Sequence, residues 1–119
     1  MTALTGKRIL VVEDEALVAA MVEDILGELG ATVVAIATNI ERAMELAHSA
    51  EIDAAVLDVN LRGRRVDSVA EVLRQRGIPF VFATGYGAAM SGTVAAPVID
   101  KPHTSEKLAE ALQRALARS

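Results

Sequence analysis

Ala54-Ala55-Val56-Leu57-Asp58-Val59-Asn60-Leu61 is the stretch whose reading decides the fold. Apolar residues run from Ala54 to Leu57 straight into an aspartate, and turn-forming residues follow at Asn60 and Gly63. An uninterrupted apolar run closed by turn signals marks a strand buried on both faces, as in a parallel sheet. Its last residue then stands at the carboxyl edge of the sheet, where open α/β folds hold their ligands. A carboxylate placed there needs a partner, because burying a lone charge is costly. Three other stretches close in the same way: Ile9-Leu10-Val11-Val12-Glu13-Asp14, Pro79-Phe80-Val81-Phe82-Ala83-Thr84 and Pro97-Val98-Ile99-Asp100-Lys101.

Outward from Asp58, strand-like and helix-like segments alternate. Residues 8–13 form the first strand, and 15–29 carry a helical stripe of Leu17, Val18, Met21, Val22, Ile25, Leu26 and Leu29. Gly30 suits the left-handed position after a helix. Residues 32–36 are short and β-branched, hence a second strand. Thr38 with Glu41 reads as a capping box, opening a helix with Ile40, Ala43, Met44 and Ala47 on one face. Met21 and Met44 are expected in the core.

Beyond Asp58, the segment 60–65 reads as a polar loop opening a third helix, with Val66, Val69, Ala70 and Leu73 inward. Residues 79–84 form the fourth strand and 97–100 the fifth. Between them there is room for only a short helix, weakened by Gly87 and Gly92. Thr104 or Ser105 caps a last helix with Leu108, Leu112, Ala115 and Leu116 on one face. The expectation is an α/β fold: a doubly wound five-stranded parallel sheet, flavodoxin-like, flanked by helices of which the fourth is short. Periodicity does not supply the strand order; 2-1-3-4-5 is adopted from known doubly wound sheets.

Composition narrows the function. The chain has 119 residues and is 52% hydrophobic but 3% aromatic, so its core is aliphatic. A net charge of −4 argues against nucleic acid as a direct partner. With no cysteine there is no disulfide framework and no thiolate metal site. Residues 1–8 lack the apolar core of a signal peptide, and no apolar run approaches the ~20 residues that span a bilayer. A cytoplasmic single domain over 1–119, with no output domain and no membrane contact, is expected.

In the order 2-1-3-4-5, strands one and three are neighbours, and Glu13, Asp14 and Asp58 converge at one edge. Close like charges repel unless a cation sits among them. Mg²⁺ suits such a site, being a hard ion that takes a few oxygens and keeps waters for a phosphate. Lys101 adds an ammonium and Thr84 a hydroxyl at the same edge. Together these residues make a phosphoryl-transfer site on a carboxylate nucleophile.

Plainer readings exist for each residue alone. Glu13 and Asp14 serve equally as cap and first-turn acid of helix one, and Asp58 as a turn residue. Lys101 alone is a solvated lysine, and His48 and His103 are surface residues. Arg62, Arg64 and Arg65 form a basic cluster beside Asp58, read as a solvated loop or, less often, a partner contact.

Taken together, the motifs resemble the receiver domain of the bacterial two-component response-regulator family from end to end. Glu13-Asp14 matches its acidic pair, Asp58 its phosphoacceptor, Thr84 its phosphate-following hydroxyl, and Lys101-Pro102 its Lys-Pro pair, usually joined by a cis bond. Residues 79–87 further resemble the FAT GUY subgroup of single-domain regulators. The resemblance implies Mg²⁺ held by Asp14, Asp58 and the Asn60 carbonyl, with Glu13 acting through water or by orienting the site. It implies a phosphohistidine donor, either a sensor histidine kinase or a histidine phosphotransfer protein, and an unidentified downstream protein. Val98 stands where many receivers place a switching aromatic, so Tyr86, between Gly85 and Gly87, is read as the switch. The rivals are a carboxylate-nucleophile phosphohydrolase and a receiver-like scaffold that is never phosphorylated. Such hydrolases carry a second acid two residues past the nucleophile, where this chain has Asn60.

Overall fold

The computed structural model describes residues 4–58, 60–61, 64–84, 98–100 and 105–118. Its elements run β1 (Arg8–Val12), α1 (Ala16–Glu28), β2 (Thr32–Ala37), α2 (Ile40–Ser49), β3 (Ala54–Asp58), β4 (Asn60–Leu61) and β5 (Arg64–Arg65). Then follow α3 (Asp67–Gln75), β6 (Phe80–Thr84), β7 (Val98–Asp100) and α4 (Ser105–Arg118). The main sheet has the order β2-β1-β3-β6-β7 with every pair parallel. Numbered within that sheet alone, this is the expected 2-1-3-4-5. The short helix expected between its last two strands falls within 85–96, outside the described residues.

The deciding stretch behaves as its composition demands. Every residue of β3 is buried. Ala55 and Leu57 belong to one apolar layer, shared with α2 and α3. Ala54 and Val56 belong to the other, shared with α1 and α4. A strand alternates its side chains between faces, so helices on both faces require apolar residues at every position.

Two local expectations are corrected, and β2 adds an irregularity. The N-cap of α2 is Asn39, whose side chain accepts the Arg42 backbone N–H at 2.8 Å, so the Thr38–Glu41 box is displaced by one residue. Asn ranks above Thr at this position, and that preference overrides the spacing. On α1 the inward residues are Ala19, Val22 and Leu26, flanked by Val18, Ile25 and Leu29. Leu17 and Met21 lie on the outer face, 76% and 40% exposed, so Met21 is not core filler, whereas Met44 does pack against the core. In β2, Ile9 faces Val33 but Leu10 faces Ala35, leaving Val34 as an extra residue. That extra residue is exposed. A bulge on the edge strand re-aims it and blunts pairing with other chains, which matters because residues 31–40 carry no charge.

At the amino edge of the sheet, Asp53 ties β1 to the entry of β3. Its Oδ2 accepts the Arg8 backbone N–H at 2.7 Å and Arg8 Nε at 3.3 Å, and its Oδ1 accepts Arg8 Nη2 at 3.4 Å. These hydrogen bonds, from the guanidinium first and the backbone second, hold the Asp53 carboxyl below its ordinary value. A lowered carboxyl pKa contributes stability above the unfolded value of about 3.9 and loses it as pH falls through the folded value. Asp53→Ala should therefore cost about 1 kcal/mol at neutral pH, a charge-assisted bond discounted for exposure. The gap from wild type should close below about pH 4. Urea melts at pH 7 and in acid check this, and an equal gap at both would contradict it.

Candidate functional site

The parallel register stacks the strands into rows that fix what meets at the carboxyl edge. Val12 pairs with Leu57, Leu57 with Phe82, and Phe82 with Val98, giving one apolar row across four strands. One step further, Asp58 pairs with Ala83 and Ala83 with Ile99, while Glu13 extends the end of β1. The Glu13 backbone N–H continues the ladder by donating to the Ala37 carbonyl at 2.9 Å. The next row pairs Thr84 with Asp100, and Lys101 follows directly in sequence. The polar residues thus begin where the apolar row ends.

Glu13, Asp14 and Asp58 can present carboxylate oxygens all within 4.8 Å of one another. Glu13 is 3% exposed and Asp58 7%, and they are the buried polar or charged residues among those described. Glu13 is also a structural residue, since its Oε2 accepts the Glu15 backbone N–H at 3.2 Å. The residue before α1, Glu15, makes no side-chain cap of its own. Glu13 therefore serves an amide at the entrance to α1, with the favourable field of a helix N-terminus behind it. A cluster of hard, converging oxygens at this separation fits a small divalent cation that keeps some of its waters.

The expected residues divide by where they fall. Glu13, Asp14 and Asp58 are brought together. Thr84 ends β6 at the same edge, one row beyond Asp58. Asn60 opens β4, two residues past Asp58. Tyr86, Lys101 and Pro102 lie outside the described residues. What the sequence reading missed is the hairpin: Asn60 pairs with Arg65 and Leu61 with Arg64, antiparallel. Leu61 and Val66 are fully buried and anchor both ends of it in the α2–α3 layer. The available signal was a two-residue spacer, Arg62-Gly63, because short hairpin loops favour glycine.

A five-stranded 2-1-3-4-5 sheet with three acids at its carboxyl edge defines a class. The chain belongs to the response regulator receiver domain family, whose profile matches residues 9–113. It is accordingly a receiver domain of two-component signalling, and the acidic cluster fits the family's Mg²⁺ site. Among solved structures it resembles SdrG from Sphingomonas melonis Fr1, with 46% identity and a TM-score of 0.82 over 98% of this chain and 99% of that one. It also resembles the response regulator PhyR from Brucella abortus, with 27% identity and a TM-score of 0.83, covering 97% of this chain and 49% of PhyR. The transcriptional regulatory protein PdtaR of Mycobacterium tuberculosis is 30% identical over 98% of this chain, which spans 60% of PdtaR's length. No helix among the described residues is long and apolar enough to cross a membrane.

Proposed function

We propose that the chain is a phosphorylation-activated signalling domain that accepts a phosphoryl group on Asp58. The observation that carries this reading is the convergence of the buried Asp58 with Glu13 and Asp14 at the end of β3. An Asp58 carboxylate oxygen attacks phosphorus, and the P–N bond to the donor imidazole breaks with its electron pair left on nitrogen, which then takes up a proton. The donor is a phosphohistidine on a sensor histidine kinase or a histidine phosphotransfer protein. Asp14, Asp58 and the Asn60 carbonyl would hold Mg²⁺, which supplies charge neutralisation for the phosphoryl oxygens. Glu13, already engaged with the Glu15 amide, orients the cluster or reaches the ion through water.

Lys101 and Thr84 hold the phosphoryl oxygens once transfer is complete. The new charge biases an equilibrium of the loop that follows Thr84, and Tyr86 reports it to a downstream protein. Pro102, after Lys101, is the position for a cis bond in the family's motif. The chain acts as one receiver unit and signals by protein contact rather than by catalysis. The phosphohydrolase reading is disfavoured because Asn60 cannot protonate a leaving group as a carboxylic acid does.

Incubation of the purified chain with acetyl phosphate and Mg²⁺ should add one phosphoryl group by intact mass. Chelating the metal with EDTA should abolish the gain. Labelling undiminished by EDTA would overturn the metal assignment, and failure to label at saturating donor and Mg²⁺ would overturn the acceptor assignment.

A further inference from the structure

The acids that make the acceptor site also make it repel its own substrate. Glu13, Asp14 and Asp58 lie together, and the exposed Glu15 follows at the entrance to α1, its backbone N–H donating to Glu13. Counted formally, these four acids bring four negative charges, of which a divalent cation would cancel two. The chain as a whole carries −4, so its distant field is also unfavourable to anions. Phosphoryl donors are anions, and a small one such as acetyl phosphate is close to a dianion. The α1 side of the site offers no relief: between Arg8 and Arg42 the sequence contains no lysine or arginine. On the β7 side the sequence adds one acid, Asp100, and one lysine, Lys101, which leaves the formal charge of that edge unchanged.

Compensation stands on the remaining side. The β4–β5 hairpin places Arg65 opposite Asn60 and Arg64 opposite Leu61. Two residues of chain separate Asp58 from Asn60, at most about 7 Å. Paired strands add about 5.5 Å, so the Arg65 backbone lies within roughly 13 Å of the Asp58 backbone. That is comparable to the Debye length of about 10 Å at 0.1 M salt. The hairpin is a fixed platform, because Leu61 and Val66 at its two ends are fully buried. A solvated loop would need neither anchor.

We propose that Arg64 and Arg65 steer anionic phosphoryl donors to Asp58, offsetting the acid cluster's repulsion from one side of the site. The inference rests on Asp58 being the acceptor, and it adds an approach direction and a rate. Steering acts on encounter, so it appears in the second-order rate of labelling and vanishes as salt screens it. It does not alter the final stoichiometry. The same cations favour a protein donor that presents acidic groups beside its phosphohistidine, opposite the hairpin.

The test uses acetyl phosphate at sub-saturating concentration, with Mg²⁺ fixed, at about 10 mM and about 500 mM added salt, conditions spanning long and short screening lengths. Wild-type labelling should stay flat or slow as salt rises. Arg64→Gln with Arg65→Gln should label about three- to tenfold more slowly at low salt, and its rate should rise with salt until the two converge. Arg64→Lys with Arg65→Lys should restore the wild-type rate, since the charge and not the guanidinium fork does the steering. A wild-type rate that climbs steeply with salt overturns the proposal without any variant. So do equal rates for wild type and the double Gln variant at both salts, or a deficit that salt does not change. If wild type takes no label under any condition, the Asp58 reading itself has failed, a different result from any of these.

Discussion

Asp58→Ala should take no phosphoryl group from acetyl phosphate and Mg²⁺ under conditions that label the wild type fully. The acceptor oxygen is then gone, and the neighbouring carboxylates are poor substitutes. Glu13 is buried and its Oε2 already accepts the Glu15 amide, so it is not free to attack in line. Asp14 is half-buried, which makes it the residue to examine if any label remains. Removing one partner of an acid cluster lowers repulsion among those left, so the variant should fold at least as well as wild type without metal. This separates loss of chemistry from loss of structure: circular dichroism should be unchanged while the mass gain disappears. Stoichiometric label on Asp58→Ala would move the acceptor to Asp14 and overturn the assignment of roles within the cluster.

How far the sequence revealed this arrangement depends on the range of the forces involved. The Asp58 strand was legible because burial on two faces leaves a mark at every position, and Ala54 to Leu57 do divide between the two apolar layers. Residues that end strands were legible for the same reason, since the apolar row Val12–Leu57–Phe82–Val98 stops where the polar residues start. Strand order was not legible, because no local pattern records which strand lies beside which. The outward turn of Leu17 and Met21 was hidden by an apolar periodicity that continues around α1 beyond the face it buries. Val34 was hidden because a bulge changes register without changing composition. The hairpin was hidden because two-residue strands are too short for any alternation to show. These failures share a cause: each depends on a neighbour distant in sequence, or on a single residue's displacement.

The second large effect concerns the floor of the site. Phe82 is 1% exposed and belongs to the layer that also holds Leu57, Leu61 and Val66. Its ring meets Phe80 edge-on, with centroids 5.5 Å apart and planes at 74°. In a chain with 3% aromatic residues, this pair supplies bulk that aliphatic neighbours cannot easily replace. Phe82→Ala should therefore cost about 3–5 kcal/mol, the transfer and cavity terms together. For a domain of this size that is a fall of roughly 10–20 °C in Tm. Phe82→Leu keeps most of the volume and should lose less than about 1.5 kcal/mol. The damage should also reach the chemistry, because Phe82 stands one row below Asp58 and shares its layer with the hairpin's anchor Leu61. Labelling by acetyl phosphate, measured well below the variant's Tm, should be slower for Phe82→Ala than for Phe82→Leu. Urea unfolding followed by circular dichroism gives the first number. A loss below about 1 kcal/mol for Phe82→Ala would mean that the ring does not fill the core beneath the acceptor.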